Sequence, residues 1–145
     1  MTDASSMIPT EPVEIIPPTN EDIFVFGSNL SGIHGAGAAA FAANYRGAIW
    51  GKGEGLMGRS YALPTKGLNI SHMGMREIKE HVNEFIHFAS GRSDLSFQVT
   101  QVGCGLAGGL PEQIAPMFRH APSNCRFDLA WKLWLPKDFK FWGTF

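Results

Sequence analysis

A short apolar run, a glycine-rich loop and a helix-forming segment follow one another twice in this chain, and no other feature restricts its fold as strongly. Ile23, Phe24, Val25 and Phe26 make the first run. A strand without polar alternation is buried on both faces, as in a parallel sheet covered by helices, and Gly27 is expected to end it. A loop with Ser28, Asn29, Ser31, Gly32 and His34 leads into Gly35, Ala36 and Gly37. Alanines then favour helix as far as Tyr45, with Gly47 as the stop. The second copy starts at residues 97–102, read as a strand. It runs into Gly103, Cys104, Gly105, Leu106, Ala107, Gly108 and Gly109, then continues from Pro111, suited to a first helical turn, to about Phe118.

Between the copies, Gly51, Gly53, Gly55 and Gly58 mark an irregular segment, and residues 60–63 read as a short strand closed by Pro64. Residues 75–89 place Ile78, Val82, Phe85, Ile86 and Ala89 at helical spacing, with Glu77, Lys79, Glu80 and Glu84 on the other side. Residues 126–134 read as a last strand before Pro136. The aromatic tail around it serves as packing or, if exposed, as a partner surface. Strands alternating with helices predict an α/β domain of three layers: a mostly parallel central sheet with helices on both faces and ligands at the carboxyl ends of the strands. Residues 21–145 form this domain. Residues 1–20, with Pro9, Pro12, Pro17 and Pro18, make a flexible arm in which residues 13–16 can pair as an edge strand.

Bulk properties exclude several classes. A chain of 145 residues suits one domain, and no apolar run approaches the roughly 20 residues of a membrane span. The first six residues are polar and acidic rather than basic and then apolar, unlike a secretory signal, so a cytoplasmic protein is expected. Cys104 and Cys125 have no metal-ligand spacing and no CxxC partner, so free thiols, no metal and no cofactor are expected. A net charge of −1 argues against neutralising many nucleic-acid phosphates. An anionic ligand must then be held by geometry.

Glycine loops supply that geometry. Without side chains, backbone N–H groups can converge on a phosphate, and a following helix adds positive charge at its N-terminus. Two such loops on one cleft suit a nucleotide diphosphate. The plainer reading gives the glycines to tight turns and close helix–sheet packing. The stretch from Gly35 also has the form GxGxxA of a dinucleotide-binding turn, but it does not follow its strand at once. No acidic residue ends a second strand about 20 positions later.

These residues resemble the macrodomain superfamily, whose small members bind ADP-ribose or hydrolyse its conjugates. Three segments carry the likeness: Asn29 with His34-Gly35-Ala36-Gly37-Ala38-Ala39-Ala40-Phe41, then Tyr61-Ala62-Leu63-Pro64-Thr65-Lys66, and most specifically Val102-Gly103-Cys104-Gly105-Leu106-Ala107-Gly108-Gly109. Their order and approximate spacing agree across residues 22–120. The resemblance implies that Ser28, Asn29, Gly35, Ala36, Gly37 and Ala38 meet the distal ribose and diphosphate, and that residues 103–109 wrap the diphosphate. Asp22, or Glu14, is the only candidate for the family's adenine-contacting aspartate. Two departures bear on catalysis. Aspartates that some family hydrolases carry after the first glycine run or after Gly-Cys-Gly-Leu are replaced here by Ala38, Ala39 and Ala107.

Lys66 matches a family lysine able to attack the ribose carbon, and a lysine partly desolvated in a cleft suits that role; the plain alternative is a solvated lysine at a strand end. His34 is either a general base or ribose contact, or an ordinary loop histidine. His72, His81, His87 and His120 read as surface or core-edge residues. Glu112 is explained by the dipole of its helix, and Cys104 by the need for a small loop residue. The primary expectation is an ADP-ribose binder, whose partners include ADP-ribosylated macromolecules and nucleic acid only if so modified. The alternatives are an ADP-ribosyl glycohydrolase or esterase using Lys66 or His34, and an adaptor binding a partner through its aromatic tail.

Overall fold

The computed structural model describes residues 13–105 and 107–145. Its centre is β1 (Ile23–Asn29), flanked in parallel by β3 (Ser60–Lys66) and β4 (Phe97–Val99); β5 (Cys125–Asp128) and β6 (Phe141–Gly143) extend the sheet in parallel, and β2 (Gly55–Met57) adds an antiparallel edge. The order is β2-β3-β1-β4-β5-β6. Strand alternation sorts the apolar residues of β1 to two faces. Phe24 and Phe26 pack with Ala42 of α1 (Gly37–Tyr45), Ala48, Met57 and Ala62. Ile23 and Val25 face the larger core, with Ile78, Val82, Phe85 and Ala89 of α2 (Met75–Ser90). Burying an Ile, Val or Phe contributes about 1.5–3 kcal/mol, so the α2 stripe anchors this layer. The result is a three-layer α/β fold with helices on both faces of a mostly parallel sheet.

Several boundaries differ from the sequence reading, each for a local reason. β1 passes through Gly27 to Asn29, with a register shift between Ser28 and Asn29. A Cβ on Gly27 would lie 3.2 Å from the Gly103 nitrogen and 3.3 Å from Thr65 Oγ1, so this glycine admits a close backbone approach inside the strand. β3 continues through Pro64 to Lys66. β2 pairs with it only as far as Ala62. Because Phe24 donates to the Arg59 carbonyl, alternation turns the imide nitrogen of Pro64 away from β1 and beyond the end of β2. β4 stops at Val99, since the Val102 amide turns back to the Thr100 carbonyl at 2.7 Å.

The supposedly irregular segment contains β2; the strand expected at residues 126–134 is β5 and ends at Asp128, where a 3-10 turn (Leu129–Trp134) begins, and the last strand is instead β6 beyond Pro136. α3 (Pro111–Ile114) is a single turn. It tightens to 3-10 geometry at Ala115–Phe118, where Pro116 has no N–H to continue an α-helix. At the N-terminal side, Ile16 donates to the Phe141 carbonyl at 2.8 Å and Phe141 to that of Glu14 at 3.1 Å, so residues 14–16 line the outer edge of β6. Residues 1–12 of the expected arm lie outside the described residues. The tail aromatics Trp131, Phe141 and Trp142 are buried.

Candidate functional site

Parallel β1, β3, β4 and β5 bring their carboxyl ends to one edge. From β1 the chain proceeds through α1 to β2 and β3 on one side; from β4 it proceeds to β5 and β6 on the other. The gap between β1 and β4 is therefore a topological switch point, where loops diverge and a crevice opens. A cleft of about 690 Å³ lies there, lined by both glycine loops and by the ends of β3 and β5.

Ser28, Asn29, Gly35, Ala36, Gly37, Ala38, Lys66, Gly103, Cys104, Gly105 and Ala107 all line this cleft. Leu106 lies outside the described residues. The polar side chains among them largely serve the walls. Ser28 Oγ donates to the Gly53 carbonyl at 2.6 Å. Asn29 closes its own loop, donating from Nδ2 to the Ile33 carbonyl at 2.8 Å and accepting the Ile33 amide at Oδ1 at 3.0 Å. Thr65 and Thr100 donate to the carbonyls of Ser28 and Val25. The backbone remains as a source of free donors at the cleft. Among the described residues the amides of residues 35–39 have no acceptor, because they precede or form the first turn of α1. In the second loop the same holds for Gly103, Gly105 and Ala107. That loop is closed by Gly109 donating to the Gly103 carbonyl at 2.7 Å and Gly108 donating to that of Gly105 at 3.0 Å. Gly108 and Gly109 do not line the cleft. Their part is the turn itself, with φ +81 at Gly108 and a Cβ at Gly109 colliding with the Gly103 carbonyl oxygen.

Besides Gly108 and Gly109, two further sequence candidates are not brought to the cleft. His34 is buried away from it: Nε2 lies 3.0 Å from the carbonyls of both Ile49 and Lys52, the ring packs edge-on to Phe26, and Nδ1 has no partner among the described residues. Two carbonyl acceptors require the proton on Nε2. The ring thus braces the 49–52 connection. Asp22 sits at the amino end of β1, across the sheet from the cleft, where it pairs with Arg126 Nη2 at 2.8 Å and accepts the Thr19 amide at 3.0 Å. The place of His34 on the first loop could not reveal which way its side chain turns, whereas Asp22 is kept from the cleft by its position before β1.

Asp128 was missed. It is fully buried at the end of β5 and lines the cleft, accepting Ala130 N at Oδ1 (2.9 Å), and Gln101 Nε2 (3.2 Å) and Phe145 N (3.0 Å) at Oδ2. Its reach to the amide two residues on is an Asx-turn signal, obscured by reading residues 126–134 as one strand. Phe145 also lines the cleft and packs on Phe24 and Phe41 at 5.6 and 5.4 Å. On the rim, Asn69 and Ile70 are both left-handed, φ 54 and 59, held by Asn69 N donating to Ser31 Oγ at 2.8 Å; the β-branched Ile70 is strained there.

Lys66 and Asp128 are the charged side chains lining the cleft, and among the described residues no carboxylate pairs with Lys66. Burial pushes the Cys104 thiol above its ordinary range; the neighbouring Trp131 indole N–H offsets this only in part and makes no hydrogen bond of ordinary geometry. The thiol is thus protonated near neutral pH and is a poor nucleophile. No family model, curated protein or solved structure matches the chain.

Proposed function

We propose that this chain binds ADP-ribose, or a nucleotide built around it, in the cleft between β1 and β4, as its resemblance to macrodomains implies. The observation that carries this reading is the convergence of two glycine loops, with amides lacking acceptors, on one cleft of about 690 Å³. Backbone donors and the α1 N-terminus favour a diphosphate, and Lys66 adds one positive charge. The volume falls within the usual range for small-molecule sites. Free Cys104 and Cys125 accord with a cytoplasmic setting; among the described residues, no helix is long and apolar enough to cross a membrane.

Binding without turnover is the favoured form. Asp128 is occupied by three donors, and His34 lies outside the cleft, so neither is available there as a general base. One observation favours hydrolysis as a second reading: Lys66 lines the cleft without a carboxylate partner. Calorimetric titration of ADP-ribose into the protein, with AMP and NAD as comparators, tests the proposal. Saturable binding of ADP-ribose over AMP is expected, and no heat at high ligand concentration refutes it. Release of ADP-ribose from a modified protein, lost in Lys66→Ala with binding retained, would replace the binder with the hydrolase.

A further inference from the structure

We propose that Glu54, His81 and Glu84 form a binding site for a first-row transition-metal dication of the Zn²⁺ type, which clips the glycine-rich connection before β2 to helix α2. His81 and Glu84 are three residues apart on α2 and so share one face. Glu54 comes from a different element, immediately before β2. His81 Nδ1 lies 3.2 Å from Glu84 Oε1 and 3.6 Å from Glu54 Oε2, and one ligand atom from each residue falls within 4.8 Å of the others. Two ligand atoms about 2.1 Å from a tetrahedral zinc stand about 3.4 Å apart. The two histidine-to-carboxylate separations already bracket that value.

The electrostatics favour a cation. Two carboxylates converge on one imidazole, and among the described residues no lysine or arginine forms an ion pair with either. Beneath them lies Tyr61, whose backbone pairs with Leu56 of β2 and whose ring packs on Phe85 and Phe88 of α2. Its residue is 8% exposed, and burial first, then the charges of Glu84 and Glu54, push its hydroxyl up to about 12. The His81 side chain is largely buried, whereas both carboxylates are open to solvent. That leaves room for water to complete the coordination sphere. One imidazole with two carboxylates suits Zn²⁺ better than Ca²⁺, which takes oxygen donors alone. Gly53 is already wedged against the end of β1, accepting Ser28 Oγ at 2.6 Å. A metal at Glu54 would fix the other side of this connection and so stiffen the wall of the cleft.

The test is titration of Zn²⁺, with Ca²⁺ as comparator, into the chelator-treated full chain, read by calorimetry and by visible absorption with Co²⁺. One Zn²⁺ per chain is expected, at least about tenfold weaker in His81→Gln and in Glu54→Gln, while His87→Gln, farther along the same helix, binds as wild type. Glu54 is exposed, so metal-free Glu54→Gln melts as wild type and weaker binding there reports lost coordination. The proposal is overturned by no saturable Zn²⁺ binding, by undiminished binding in both variants, or by Ca²⁺ binding as tightly as Zn²⁺.

Discussion

Replacing Gly105 by glutamate separates a ligand loop from a mere turn. An added Cβ meets no atom within 4 Å, and the backbone is not left-handed there, so the fold tolerates a side chain at this cleft-lining position. A surface change of this kind alters stability by no more than about 0.5 kcal/mol, roughly 1–2 °C in Tm for a chain of this size. Binding should respond far more. A carboxylate about 5 Å from one phosphate charge at an effective dielectric near 20 costs about 3 kcal/mol, a loss of roughly 200-fold in Kd. Salt screening across the open cleft brings this toward about tenfold. Calorimetric titration of ADP-ribose at low and at physiological salt should therefore show a loss between those limits that shrinks as salt rises, while Gly105→Ala binds nearly as wild type. Unchanged affinity in Gly105→Glu refutes the assignment of this loop to the diphosphate. Unfolding of both variants refutes the reading of open space above Gly105.

Gly109→Ala tests the turn instead: its Cβ collides with the Gly103 carbonyl oxygen, so thermal melting should reveal a loss of about 1–3 kcal/mol, and a stable variant would contradict the close approach. Asp128→Ala strands the amides of Ala130 and Phe145 and the Gln101 side chain. Urea unfolding should register about 3 kcal/mol of destabilisation, and less than about 1 kcal/mol would mean that water replaces the carboxylate. Burial pushes the Cys125 thiol up to about 12 from 9.0. The folded state therefore holds this proton after the unfolded state has released it, and stability falls from about pH 9 upward by about 1.4 kcal/mol per pH unit. Cys125→Ala should lose less stability than wild type between pH 9 and 11, and identical slopes would argue against the buried thiol as the source.

The layered architecture was legible because burial leaves a periodic trace. The unbroken run at residues 23–26, the helical stripe from Ile78 to Ala89 and the alanine-rich segment of α1 each appear as elements where expected. Strand ends were less legible. Gly27 and Pro64 look like terminators, yet β1 and β3 continue past them because neighbouring backbone approaches closely at the one and β2 has already ended at the other. The short β2 and β6 carry too few residues for a pattern, and pairing alone makes them strands. At the candidate site, the glycine-loop residues named in advance line the cleft apart from Gly108 and Gly109, with Leu106 outside the described residues; the inward turn of His34 could not be read ahead, whereas Asp22, just before residues 23–26, already stood at the amino end of β1 by sequence.

By itself the sequence determined two strand–glycine loop–helix units and their two-sided burial, and pointed to a candidate site built from backbone rather than from charge, since composition and periodicity act locally along the chain. Only the tertiary structure decided that β1 and β4 are neighbours at the switch point, that Asp128 and Phe145 close the same cleft from the far end of the sequence, and that Glu54 meets His81 and Glu84 across β2 and α2. The physical reason is that strand order and side-chain direction depend on contacts between segments distant in sequence, which no local pattern encodes.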